Sequence, residues 1–213
     1  MIVLFNGPPR SGKDAAADYF KEKGWKHLSF KYQLYKETAK YFGVDYDWFM
    51  ERYDDRSVKE VPHMDLGHMS CREAMIYVSE TIVKPKRGLD YFGKQVADEI
   101  DLNKNYAISD GGFVDELIPI INKIGDNNFV LVQLTRDGCD YSTDSRRYFD
   151  GDVQQEYINS HRTEINKKYV LPHKFNVKTY RVHNNSSIES FYSVLEQIHK
   201  KEFYGKGSQS RAA

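Results

Sequence analysis

At 213 residues, with 40% apolar and 29% charged side chains, the chain suits one α/β domain or a domain with inserted elements, and its composition favours neither the disordered nor the membrane class. Its 31 basic and 31 acidic residues sum to zero formal charge, so attraction to nucleic acid could only be local, through a basic groove. The longest apolar runs are strand-sized, far short of the roughly 20 residues that cross a bilayer, and the N-terminus carries no basic segment followed by an apolar core. A cytoplasmic protein with no membrane partner is therefore expected.

Ile2-Val3-Leu4-Phe5 is a continuous apolar run closed by a glycine-bearing turn, the pattern of a strand buried on both faces of a parallel sheet. From Lys13, the residues Ala16, Ala17 and Phe20 recur with helical spacing until Gly24 ends the helix. A short strand is expected over His27 to Phe30, then a helix over Lys31 to Phe42 with Tyr32, Tyr35, Ala39 and Phe42 on its apolar face. From Gly43 to Gly67 the chain is aromatic and charged without a clean period, which suits an inserted region more than core. Ser70 is placed to N-cap a helix reaching Ile82, with Glu73 completing a capping box, and a further helix is expected over Leu89 to Ile100.

Tyr106 to Asp110 is a mainly apolar run ending on a carboxylate, followed by Gly111-Gly112 and a helix from about Val114 to Ile124, which Pro119 is expected to kink or shorten. Phe129 to Leu134 is the strongest strand pattern in the chain and leads into an arginine-bearing polar stretch, Arg136 to Arg147. A strand over Thr179 to Val182, the turn Asn184-Asn185-Ser186 and a helix over Ser187 to His199 follow, with a disordered tail expected from Gly205. Alternating strands and helices imply a mostly parallel sheet with helices on both faces, and such sheets bind ligands at the carboxyl ends of their strands. The loops after Phe5, Asp110 and Leu134 then share one edge. The 16 tyrosines are assigned to core packing ahead of base stacking. Cys71 and Cys139 are expected as free thiols, and His63, His68 and Cys71 match no zinc spacing.

Gly7-Pro8-Pro9-Arg10-Ser11-Gly12-Lys13 sits between a strand and a helix, where a phosphate-binding loop must sit. Glycines at 7 and 12 let backbone N–H groups turn inward around an anion, the helix adds its positive N-terminus, and Lys13 reaches the β- and γ-phosphates of ATP. Arg10, Ser11 and Asp14 complete the expected nucleotide site. Asp14 stands where the usual loop has a hydroxyl on magnesium. Three readings stay open for it: a Mg2+ ligand with Ser11, a general base, or an acidic residue favoured in the first helical turn. Asp110 is either a metal- or acceptor-facing carboxylate or a helix cap. Arg136, Arg146 and Arg147 are expected on a mobile lid that brings guanidinium groups onto the transferring phosphoryl. Arg72, Lys84, Lys86 and Arg87 are candidates for an acceptor's phosphate.

The segment from Gly7 to Asp18, GPPRSGKDAAAD, resembles the opening of bacteriophage-type deoxynucleoside monophosphate kinases. Ser70-Cys71-Arg72 looks like that family's Ser-x-Arg segment, and Asp110-Gly-Gly-Phe113-Val-Asp115-Glu116 looks like its Asp-x-Arg-Phe-x-x-Glu segment, with Gly112 standing where the family carries arginine. The resemblance implies a three-layer phosphate-loop kinase fold over residues 1–204, with an acceptor-binding insert at about 43–100 and a lid at about 136–168. It also implies ATP and Mg2+ as cofactors, Asn185 at the nucleotide, and Arg72 and Phe113 at the acceptor. The acceptor is then a pyrimidine deoxynucleotide, either a free monophosphate or, as in related phage kinases, 5-hydroxymethyluracil within DNA. A homodimer is a candidate assembly, and the host cytoplasm is the compartment if the chain is phage-encoded. A phosphomevalonate-type metabolite kinase and a non-catalytic nucleotide-binding switch are the alternatives.

Overall fold

The computed structural model describes residues 1–55, 57–142, 144–150, 155–156, 168–172 and 174–204. In chain order its elements begin β1 (Ile2–Asn6), α1 (Lys13–Glu22), β2 (Lys26–Leu28), α2 (Lys31–Phe42), α3 (Tyr46–Asp54), α4 (Cys71–Tyr77), α5 (Lys84–Arg87) and α6 (Tyr91–Glu99). They continue β3 (Tyr106–Ile108), α7 (Val114–Ile124), β4 (Phe129–Thr135), β5 (Tyr148–Asp150), β6 (Gln155–Glu156), β7 (Lys168–Val170), β8 (Lys178–His183) and α8 (Ile188–His199). Two compact units emerge: Met1–Leu28, Ile100–Val114 and Ile121 onward form the first, and Ser29–Glu99 with Asp115–Ile120 the second.

The first unit is a three-layer α/β fold of the phosphate-loop kind, on a sheet ordered β2-β3-β1-β4-β8 with two-residue β6 at its edge, every pair parallel. β1 lies between β3 and β4, Leu4 pairing with Ile108 on one side and Leu131 on the other, which is why every β1 residue is buried. The strand order turns back around β1, so the loops after β1, β3 and β4 open on the edge where such sheets hold ligands.

On one face Val3, Phe5, Val130, Val132, Tyr180 and Val182 pack against Ala16, Ala17 and Phe20 of α1 and Phe191, Leu195 and Ile198 of α8. Phe20 anchors this layer, edge-on to Trp25 at 4.9 Å and tilted to Phe5 at 5.5 Å; of the tyrosines, Tyr19, Tyr35, Tyr106 and Tyr180 are buried but Tyr32, Tyr41 and Tyr46 are exposed. On the other face Ile2, Leu4, Ile108, Phe129 and Leu131 are equally buried. Where that face reaches the ligand edge it turns polar. Asn6, Gln133 and Arg181 are register neighbours on β1, β4 and β8, and Arg181 Nε donates to Gln133 Oε1 at 3.1 Å.

In the second unit Tyr35, Ala39, Phe49, Leu66, Cys71, Ala74 and Met75 form a core of their own. The capping box at Ser70 is present: its Oγ accepts from Glu73 N at 3.3 Å while Glu73 Oε2 accepts from Ser70 N at 2.8 Å. The helix it starts runs past Ile82, through a π-helical stretch at Val78–Val83, to Arg87. The stretch after Gly43 holds a helix that its sequence conceals. α3 is capped by Asp45, which accepts from Trp48 N at 3.0 Å, and it buries Phe49 alone, so it shows no periodic stripe.

Other expectations shift locally. β2 ends at Leu28, because the Ser29 hydroxyl accepts from Lys31 N and opens α2. Tyr32 of α2 points outward, 38% exposed, while Tyr35 and Ala39 face in. α7 runs through Pro119 to Ile124, unshortened. The tail from Gly205 lies outside the described residues. Among the described residues no helix is long and apolar enough to cross a membrane.

Candidate phosphate-binding site

The loop Gly7–Gly12 leaves β1 and enters α1 with left-handed backbone at Arg10 (φ 65°) and Gly12 (φ 103°). Left-handed backbone at two loop positions ahead of a helix N-terminus is the kind of turn from which anion-binding nests are built, and here Ser11 N donates within the loop to the Pro8 carbonyl at 3.3 Å. Gly7 is required by contact: a Cβ there would fall 2.5 Å from Ser11 Oγ and 2.6 Å from the Leu134 carbonyl oxygen. At Gly12 both φ and a Cβ 2.4 Å from Asn184 Nδ2 exclude a side chain. Lys13 Nζ donates to the Pro8 carbonyl at 2.6 Å, folded over the loop. Ser11 is fully buried, and among the described residues its hydroxyl has no hydrogen-bond partner. Asp14 is exposed in the first turn of α1, where the helix dipole favours its charge.

The loops after β4 and β8 border this site. Arg136 is exposed, its Nη1 donating to the Arg10 carbonyl at 3.4 Å, which brings one arginine of the expected lid to the loop. The two asparagines after β8 divide the work differently from expectation. Asn184, buried, donates from Nδ2 to the Ser11 carbonyl at 3.0 Å and so braces the loop. Asn185 does not reach the loop through any bond of its own here; its Oδ1 accepts from Asp137 N at 2.9 Å and fixes the turn after Arg136. Tandem asparagines look alike in sequence, and only the register after β8 decides which one turns inward.

After β3, Asp110 is half-buried and the helix-cap reading fails. α7 starts at Val114 with Phe113 at its N-cap and no side-chain cap bond. Phe113 itself is half-buried. Gly112 is buried under Arg146, whose Cδ would lie 2.2 Å from a Cβ at that position. Arg146 is gripped by Asp144, with Nε 3.0 Å from Oδ1 and Nη2 2.5 Å from Oδ2. Burial pulls down on the guanidinium's pKa, but the hydrogen bonds and charge of Asp144, with Tyr141 and Asp110, outweigh it and leave the group raised and firmly cationic.

The segment expected as the start of a mobile lid is pinned instead. Phe149 N donates to Asn6 Oδ1 at 2.9 Å and Gln133 Nε2 donates to the Phe149 carbonyl, so two sheet amides satisfy one backbone unit. Asn6 Nδ2 also donates to the Arg147 carbonyl at 2.9 Å and to the Tyr141 hydroxyl at 3.2 Å, while Tyr148 Oη donates to the Leu134 carbonyl at 3.0 Å. Burial pushes the Tyr141 and Tyr148 phenols upward, so both stay neutral donors or acceptors. None of these anchors has a local sequence signature. Residues 151–154 and 157–167 of the expected lid lie outside the described residues.

In the second unit Arg72 and Lys86 are exposed, but two of the four cations assigned to an acceptor phosphate are already committed. Lys84 is buried on Glu80 at 2.6 Å, and Arg87 pairs with Glu37 at 3.0 Å. Cys71 and Cys139 are free thiols, and among the described residues no cluster of three His, Cys, Asp or Glu could hold a metal. The chain matches no protein-family model and no curated protein sequence.

Proposed function

We propose that the chain is an ATP-dependent phosphotransferase that delivers the γ-phosphoryl group to a pyrimidine deoxynucleotide, either a free deoxynucleoside monophosphate or 5-hydroxymethyluracil within DNA. The observation that carries the reading is the Gly7–Lys13 loop, with left-handed backbone at Arg10 and Gly12, an orphaned buried hydroxyl at Ser11 and a lysine folded across it at the start of α1. That combination suits a polyphosphate better than any other ligand class, because N–H groups, helix dipole and ammonium all favour concentrated negative charge. The resemblance of Gly7–Asp18 and of the Asp110 and Ser70 segments to phage-type deoxynucleotide kinases supports the acceptor class.

In this reading Lys13 leaves the Pro8 carbonyl for the β- and γ-phosphates, and Arg136, beside the loop, neutralises charge on the transferring group. An acceptor oxygen forms the new bond to the γ-phosphorus as its bond to the β–γ bridging oxygen breaks and ADP leaves; where the acceptor is a hydroxymethyl group, its proton passes to Asp14 or Asp110. Of the two residues expected to hold magnesium, exposed Asp14 fits a shell filled mostly by phosphate oxygens and water, the usual arrangement for this hard, well-hydrated cation, whereas the Ser11 hydroxyl is buried beside Gly7 inside the turn and does not fit. The ion would supply charge neutralisation on the phosphates.

Labelled ATP offered with each free deoxynucleoside monophosphate, and separately with hydroxymethyluracil-containing DNA, tests the proposal. Label in nucleotide or in polymer identifies the acceptor. Label in neither, with ATP bound and unconsumed, would favour a nucleotide-binding switch.

A further inference from the structure

The β3 side of the ligand edge carries a device that no loop motif announces. Gly112 has no room for any side chain because the stem of Arg146 lies across it, with Cγ and Cδ 2.3 and 2.2 Å from where a Cβ would stand. Glycine here creates a slot, and the arginine from 34 positions later fills it. Asp144 holds the Nε–Nη2 edge of the guanidinium and also accepts from Arg146 N at 2.9 Å, so the side chain is fixed in direction. Nη1 makes no hydrogen bond among the described residues, while the Asp110 carboxylate adds its charge to the same guanidinium. Arg146 keeps 21% of its side-chain surface while Asp144 keeps 8%, so the cation rather than its counter-ion faces outward.

The platform beneath is rigid. Asn6 and Gln133 clamp the backbone of Phe149, three residues on, to the ends of β1 and β4. The strand order separates this cation from the other one: Arg136 follows β4 and touches the phosphate loop, whereas Arg146 sits on the turn after β3, across β1. A braced, half-open guanidinium with one free edge matches a phosphate oxygen pair, since a planar fork loses little freedom on binding such a group.

We propose that Arg146, seated over Gly112 and braced by Asp144, is the acceptor-side anion receptor, presenting its free edge to a phosphate of the acceptor. The inference rests on the phosphotransferase reading and adds to it the residue that recognises the acceptor. Its chemistry is shared by the 5′-phosphate of a free nucleotide and a phosphodiester of DNA, and the binding probes separate these sources.

Affinities for ATP, for dTMP and for a single-stranded oligonucleotide containing 5-hydroxymethyluracil are measured on the full chain and on Arg146→Ala, Arg146→Lys and Gly112→Ala. The expected result is that whichever acceptor probe the parent chain binds is weakened about 10- to 100-fold by Arg146→Ala, the range of one charge-assisted bond. Gly112→Ala should do the same by displacing Arg146 without removing charge, and Arg146→Lys should recover only part of the loss. ATP affinity should stay within about two-fold in all three, which also reports that they fold. Acceptor and ATP affinities falling together would overturn the inference by making the ion pair merely structural, as would acceptor binding unchanged in Arg146→Ala. A parent chain that binds ATP and neither acceptor probe overturns the inference alone; one that binds no ATP overturns the phosphotransferase reading with it.

Discussion

Asn184 shows how one side chain sets the shape of a loop 173 positions away in sequence. Its amide holds the Ser11 carbonyl and its Nδ2 occupies the space beside Gly12, so Asn184→Ala should loosen the turn without touching Lys13. Loss of that bond is worth about 1 kcal/mol, and ATP affinity measured by titration calorimetry should fall roughly five-fold with the fold intact. Asn6 is a stricter case. Its buried amide serves Phe149 N, the Arg147 carbonyl and Tyr141, and Asn6→Ala removes all three bonds. Chemical denaturation should register a loss of about 1–3 kcal/mol, the range for hydrogen bonds broken in the interior. Much of the loop was legible from residue types alone, because glycine and lysine at fixed spacing have few other uses. The Gly112 slot and the Asn6 and Asn184 anchors were not, since each joins residues more than 30 positions apart and neither partner is unusual by itself.

Among the elements, α1 and α8 are held to the sheet by one aromatic hub. Phe20 is fully buried against Phe5, Trp25 and Phe203, and Phe20→Ala should destabilise the protein by about 3–5 kcal/mol, read as a shift of the denaturation midpoint. The same two helices carry a titrating contact. Hydrogen bonds from Tyr19 and then Lys23 hold the Glu196 carboxyl down from its ordinary 4.5 to about 2. A carboxylate depressed in the folded state stabilises it fully above about 4.5, and that contribution disappears as pH falls from there through about 2. Because Glu196 is largely solvated, the effect is at most about 1 kcal/mol. Unfolding followed between pH 7 and pH 2 should therefore show a small acid-sensitive component that Glu196→Gln lacks. Periodicity found α1, α2, α7 and α8 because each has a repeating apolar face. It missed α3, whose nine residues fully bury one phenylalanine and whose Trp48 is only partly buried at the edge of the core, with Arg52 over its ring at 4.0 Å.

For the molecule as a whole, the order β2-β3-β1-β4-β8 brings three sequence-distant loops to one sheet edge and so assembles the phosphate loop, Arg136 and the Asp110–Gly112 turn within a single unit. The alternation of strands and helices made the α/β class readable; the division of the chain at Ser29 was hidden, because α2 has the same amphipathic pattern as a sheet-covering helix. The central claim is that the Gly7–Lys13 loop holds the phosphates whose terminal group is transferred. Acceptor-dependent ADP release, compared between the parent chain and a folded Lys13→Ala variant, addresses it most directly. Release should require the acceptor and fall by about 100-fold or more in the variant. Full release from folded Lys13→Ala would contradict it.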